Sequence, residues 1–287
     1  MSRIAGAPKA EDFDLAEIQK RAHCMRKHIL RMVHAAKSGH PGGSLSAADI
    51  MACLYFGGAL SYDPEDPQNP DRDRFVLSKG HAAPVLYAAL HEVGYIPDEW
   101  LDTLRHLNSK LQGHPDMLKC PGVEASTGSL GQGLSIASGI ALGLAQEDRQ
   151  SGKELRHVFV MTGDGELQEG QNWEALMYAA YKKINNLVAI VDHNRLQIDG
   201  FLDDVLSLGD LNAKFEAFGW KTFVIDGHDI KAIQEALLAA KAYEEGPVVI
   251  LCNTIKGKGI SYMEDQAGWH GKAPNDDEYK TALSELL

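Results

Sequence analysis

The sequence predicts an α/β fold, a parallel sheet flanked by helices. Three observations carry this. Four short apolar runs recur in the second half of the 287-residue chain, at 157–162 (HVFVMT), 187–192 (LVAIVD), 220–225 (WKTFVI) and 247–252 (PVVILC). Helical patterns separate them at 169–183, 210–218 and 229–243; such strand–helix–strand alternation implies a buried parallel sheet with right-handed crossovers. The first run ends in Gly163-Asp164-Gly165 ahead of a helix, and ligands in such sheets sit at the carboxyl ends of the strands.

Taken in order, residues 14–37 predict a long helix, with Leu15, Ile18, Ala22, Met25, Ile29, Met32 and Ala36 spaced by threes and fours. Gly39 is its expected stop. Ser46-Ala-Ala-Asp49 reads as a helix start before IMACLYF. Residues 81–93 and 97–107 predict two further helices, broken at Gly94 and restarted at Pro97. Residues 108–133 are loop-rich, and 134–148 resume a helix containing glycines. GSLGQGLSIASGIALGLA reads as a buried helix and its approach, not a membrane span. In the helix at 169–183, Trp173, Leu176, Met177, Ala180 and Tyr181 are expected to share one face. No repeat, low-complexity tract or linker interrupts the chain, so 1–287 reads as one domain.

The composition is that of a soluble globular protein, 44% hydrophobic and 24% charged. Forty acids against 28 bases leave a formal charge of −12, which gives no support to a nucleic-acid or acidic-membrane partner. The N-terminus lacks the apolar core of a secretory signal. Cys24, Cys53, Cys120 and Cys252 form no C-x-x-C pair. Free thiols in a reducing cytoplasm are therefore expected, without zinc or disulfides.

A glycine-rich turn between strand and helix ordinarily cradles phosphate through backbone N–H groups. Here an aspartate stands at its centre, with Glu166 and Glu169 just beyond, and carboxylates repel phosphate. The third glycine of a dinucleotide fingerprint is replaced by Gln168, and no Gly-Lys-Ser/Thr follows. A divalent cation reconciles the two charges: Asp164 binds Mg²⁺ or Ca²⁺, and diphosphate oxygens complete the shell. A second ligand is then expected at the end of an adjacent strand. Asn194 follows Asp164 by 30 residues, about one strand–helix–strand unit. The Leu196 carbonyl is the candidate third oxygen.

Gly-Asp-Gly with this distant Asn resembles the thiamine diphosphate fingerprint. Nearly the whole chain is similar to the N-terminal, diphosphate-binding part of transketolase. The matching segments are SGHPGG (38–43), DRDRFVLSKGHA (71–82), GHP (113–115), STGSLGQG (126–133), GDGELQEGQNWEA (163–175), DHNRLQIDG (192–200) and WHGKAP (269–274). The resemblance implies the thiamine diphosphate-binding fold, with thiamine diphosphate and Mg²⁺ (or Ca²⁺) as cofactors. It implies transfer of a two-carbon ketol unit from a ketose phosphate to an aldose phosphate.

Four of the twelve histidines stand beside glycine in loop-like contexts: His40, His81, His114 and His270. Their spacings of 41, 33 and 156 residues fit no local zinc motif. Imidazole near neutrality can exchange protons with sugar hydroxyls. The resemblance makes these four the active-site histidines, with His81 and His270 also near the cofactor. It implies cofactor contacts for Gly128, Leu130, Gly163, Gly165 and Glu169, the last in a network linking two cofactor sites across a dimer. Asp164, Asn194 and the Leu196 carbonyl match the metal ligands, and Lys272 could add charge beside the diphosphate. His23, His28 and His34 are left structural, and His228 is expected to begin a helix. Many transketolases carry Pro where Ser129 stands and an acid where His193 stands.

In this family the glutamate that activates the cofactor lies in a separate pyrimidine-binding domain. The resemblance therefore implies a split transketolase: a partner chain carries that domain and a further C-terminal one, in an α₂β₂ assembly. The rivals are a specialised sugar transketolase, a deoxyxylulose-phosphate synthase-like enzyme, the α chain of a 2-oxo acid dehydrogenase and a non-catalytic regulatory homologue. SGHPGG and WHGKAP fit the dehydrogenase chain poorly.

Overall fold

A computed structural model of the chain describes residues 13–287. The stretch read for a secretory signal lies mostly outside them. Five parallel strands form one sheet in the order β1-β2-β3-β5-β4: β1 (Arg74–Leu77), β2 (Val158–Gly163), β3 (Leu187–His193), β4 (Lys221–Asp226) and β5 (Val248–Asn253). Four match the apolar runs with boundaries displaced by one residue. The fifth, β1, carries little signal in the sequence because its apolar part is only three residues long and follows four charged ones.

Strand residues alternate between two cores. Phe75, Leu77, Phe159, Met161, Val188 and Ile190 face one; Val76, Val158, Val160, Ala189, Val191 and Val249 face the other. The first core is closed by α1 (Leu15–Ala36), α3 (Ala48–Phe56), α4 (Ala83–Val93) and α9 (Ile230–Ala242). The second is closed by α5 (Gln132–Ser151), α6 (Gly170–Tyr181) and α8 (Leu211–Ala217). A sheet covered on both faces needs apolar residues at every position, and this is why its strands read as unbroken runs.

Several expectations change. Pro41–Ser46 form a short helix, α2, inside the segment SGHPGG. Ser46 does not cap α3; its hydroxyl donates to the buried Asp192 instead, and Asp49 is held by Arg26. The helix expected at 97–107 is a 3-10 turn over Asp98–Thr103, because Arg105 and Asn108 adopt left-handed backbone (φ 62° and 65°). A four-residue α7 (Leu202–Val205) and α10 (Asp276–Glu285) are additional; Asn275 and Glu278 form a capping box at the start of α10. On α6, Asn172, Ala175, Leu176 and Ala179 are buried, while Met177 and Tyr181 of the expected face point outward. All four cysteines are free. No helix among the described residues is long and apolar enough to cross a membrane.

Candidate functional site

The carboxyl ends of β1, β2, β3 and β5 bring the candidate residues together. Asp164 directly follows β2 and is only 2% exposed. Its carboxylate accepts from the backbone N–H of Gly165 at 2.7 Å and of Arg195 at 2.5 Å. The second bond pins it to the turn after β3, where Asn194 and Leu196 stand on either side of Arg195. Arg195 has φ 61°, a left-handed conformation that a non-glycine residue adopts at a cost. Burial first, then the neighbouring Asp192, push the Asp164 carboxyl up to about 7. Asn194 Oδ1 accepts from Leu196 N–H at 3.1 Å. A buried carboxylate, an amide oxygen and a peptide carbonyl are hard oxygen donors. They suit Mg²⁺ or Ca²⁺. Three His, Cys, Asp or Glu side chains converge on no such point among the described residues.

Two buried cations join the site. Lys79, two residues past β1, donates to Asp192 at 2.5 Å and to the Gly43 carbonyl of α2 at 2.7 Å. Asp192, fully buried at the end of β3, also accepts from Ser46, Asn194 and Thr254. Burial acts to raise its pKa, but Lys79 and these donors hold it below the usual carboxylate range. Lys256, beyond β5, donates to the Leu196 carbonyl at 2.9 Å and meets His270 Nδ1 at 2.8 Å. Burial lowers its ammonium to about 8. Glu166, also buried, accepts from Ser78, Gly131 and Gly163, tying the Gly-Asp-Gly loop to the approach of α5.

His40, His81 and His270 form a triangle with ring centroids 5.1 to 5.3 Å apart. Burial first, then cations around them, lower all three: His40 to about 4, His270 to about 3, and His81 well below its ordinary value. They are neutral at pH 7. His114 stands apart, against Gly128, in a cavity of about 400 Å³ also lined by Ser126, Thr127, Ser129 and Gln132. Burial and Arg105 lower it as well. Gly80 allows the His81 loop to pack on the Thr127–Gly128 backbone, since a Cβ there would come within 2.8 Å of it.

The chain also fits a known family over residues 18–286, described as the transketolase thiamine diphosphate-binding domain. The chain belongs to the transketolase family. It is 44% identical over 271 residues to an apulose-4-phosphate transketolase subunit of Actinobacillus succinogenes, covering 94% of this chain and 96% of that protein. It is 42% identical to the 6-deoxy-6-sulfo-D-fructose transketolase subunit SqwG of a Clostridium species, covering 94% and 96%. The solved transketolase of Campylobacter jejuni superposes with a TM-score of 0.88 at 34% identity, over 96% of this chain and 43% of that one. The Leishmania mexicana transketolase gives 0.88 at 32%, over 94% and 41%. The chain thus spans about two fifths of those solved chains.

Other sequence-named residues lie around this transketolase site or away from it. Leu130 precedes Gly131 and is partly exposed; Glu169 is exposed at the N-cap of α6. Lys272 is half-exposed, its ammonium lying over the Trp269 ring and pairing with Glu278 at 3.0 Å. His28 and His34 bond to Glu92 and Asp276 along α1, and His23 to the Leu286 carbonyl. His228 precedes the N-cap of α9 and bridges Asp49 and Ile255 N–H. Sequence reasoning assigns no site role to Lys79, Asp192, Lys256, Glu166 or Arg105. Lys79, Glu166 and Asp192 lie inside quoted motifs, so three of the five left a signal.

Proposed function

We propose that this chain is the diphosphate-binding subunit of a two-polypeptide transketolase, transferring a two-carbon ketol unit from a ketose phosphate to an aldose phosphate. The observation that carries the reading is Asp164 pinned to the Asn194–Leu196 turn beside three neutral histidines. Asp164, Asn194 and the Leu196 carbonyl hold Mg²⁺ or Ca²⁺, with Gly163 and Gly165 shaping the loop. Lys256 adds positive charge where a diphosphate needs it. When bound, thiamine diphosphate supplies a nucleophilic carbon and an electron sink. His40, His81 and His270 offer neutral ring nitrogens to sugar oxygens, and His114 and Gly128 wall a neighbouring cavity. Glu169 faces a second copy.

The glutamate that activates the cofactor belongs on a partner chain, in an α₂β₂ assembly. Support comes from relatives of matching length that are themselves named as transketolase subunits. Four free thiols agree with a cytoplasmic setting. Relatives named for apulose 4-phosphate and 6-deoxy-6-sulfo-D-fructose favour a second reading, a specialised sugar transketolase with the same chemistry.

The test is ketol transfer by the native complex, purified gently from its own host with thiamine diphosphate and Mg²⁺. Xylulose 5-phosphate and ribose 5-phosphate should give sedoheptulose 7-phosphate, alongside a co-purifying second chain. No product with these sugars, but product with an apulose or sulfofructose donor, selects the second reading. Asp164→Ala should abolish metal-dependent binding of thiamine diphosphate; unchanged binding would remove the metal assignment.

A further inference from the structure

We propose that Arg105 is a positioning residue that fixes His40 in the tautomer carrying its hydrogen on Nε2, so that His40 serves as a hydrogen-bond donor and not as a base. The inference rests on the transketolase reading for what His40 acts upon, and on geometry for the tautomer itself. Arg105 Nη2 lies 3.2 Å from His40 Nδ1. A guanidinium has five N–H donors, no acceptor, and does not lose its proton in proteins. Nδ1 must therefore present its lone pair. A neutral imidazole with a lone pair on Nδ1 carries its hydrogen on Nε2.

The guanidinium is anchored for this task. Its Nη1 donates to Ser38 Oγ at 3.0 Å, two residues before His40. Its backbone N–H closes a turn onto the Leu111 carbonyl at 2.9 Å, and the residue takes a left-handed φ of 62°. Such a conformation is disfavoured for a non-glycine and marks a position held by its surroundings.

His40 Nε2 faces the opposite way, toward Gly271, where a Cβ would stand 3.6 Å from both Nε2 and Cδ2. No group among the described residues takes up this nitrogen. The charged and titratable groups acting on His40 are Arg105 and His114 from the 105–114 loop and Lys256 from beyond β5. The His81 and His270 rings pack against it from the other two sides. None of these groups is an acid, so nothing favours a second proton on the ring. His40 is left with one function toward a sugar: Nε2–H donated to a hydroxyl, carbonyl or developing oxyanion. Proton removal falls to another member of the cluster.

The experiment is a long-range ¹H–¹⁵N correlation on the full chain with ¹⁵N-labelled histidine, His40 being assigned by loss of its signals in His40→Gln. The wild type should show His40 with hydrogen on Nε2 alone from pH 8 to pH 5. Arg105→Met should give a mixture of tautomers and a ring that titrates at higher pH, while Arg105→Lys should retain most of the Nε2–H form. In the assembled enzyme Arg105→Met should lower kcat about 10²-fold with little change in KM. Hydrogen on Nδ1 in the wild type overturns the proposal without any variant. So does an unchanged tautomer ratio in Arg105→Met. The spectra need no cofactor and no sugar. A failed ketol-transfer assay with the tautomer intact sinks the functional reading alone.

Discussion

Burial and a ring of cations hold His40 and His270 far below the ordinary imidazole range, at about 4 and about 3. That has a sign for stability. In the unfolded chain each takes a proton near pH 6.5, whereas in the folded chain it does not. Between about pH 6.5 and pH 4 the unfolded state therefore binds more protons, and stability falls as pH falls through that window. His270→Asn should lose less Tm between pH 7.5 and pH 5 than the wild type does, by a few degrees; an equal loss would show that His270 takes its proton normally in the fold. Gly163, Asp164 and Asn194 were legible in the sequence because turn chemistry and strand spacing are local. Lys256 and Arg105 were not. Their partners, Leu196 and His40, lie 60 and 65 residues away, and no local pattern encodes a hydrogen bond across that distance. His40 and His270 stand out in the sequence for their glycine neighbours; their neutrality depends first on burial and then on the cations Arg105 and Lys256, and no local pattern encodes either.

Helix α5 shows how one element serves both fold and site. Its first turn lies against Ser78, which bonds the buried Glu166 that in turn holds Gly131 and Gly163. Gly133 makes that contact possible: a Cβ there would come within 2.6 Å of the Ser78 Cα. Farther along, a Cβ at Gly139 would meet nothing within 4 Å. The two glycines should respond with opposite signs. Gly133→Ala should cost about 1–3 kcal/mol by forcing the β1 loop aside and weaken diphosphate binding with it. Gly139→Ala should stabilise the isolated chain by roughly 0.5–1 kcal/mol, since glycine in a helix interior carries an entropic cost. Chemical denaturation of the two variants decides both; a loss of stability at Gly139 would mean that its face is covered. The sequence pattern makes this stretch a buried helix and turns Met177 and Tyr181 of α6 inward. Apolar spacing identifies a stripe but not its destination. On α6 the true inward face includes Asn172, whose amide donates to the Glu166 carbonyl, so counting only apolar residues rotates the helix. The 3-10 turn at 98–103 and the strand at 74–77 escape the pattern for a related reason, being too short for periodicity to speak.

Across the whole molecule, α1, α3, α4 and α9 close one face of the sheet and α5, α6 and α8 close the other, and the outer side of α6 carries exposed apolar side chains. Met177 is 59% exposed and Tyr181 79%, with Tyr178 beside them and the bare backbone of Gly139 and Gly143 on α5. Large apolar side chains grouped at the surface mark an interaction face. Glu169, at the start of α6, is the acid whose family resemblance points to a second copy. The proposed Glu169 contact and the exposed side chains fall on one helix: α6 begins at the first and carries the second at its other end. In the α₂β₂ assembly proposed above, the two copies of this chain are expected to meet along α6. Tyr181→Glu should leave the chain's own stability within about 0.5 kcal/mol, because an exposed side chain contributes little to folding. The same change should reduce the native mass from two copies of this chain to one, read by light scattering or native mass spectrometry of the assembled enzyme. Retention of two copies at unchanged affinity would place the seam elsewhere and leave the apolar face of α6 to the partner polypeptide.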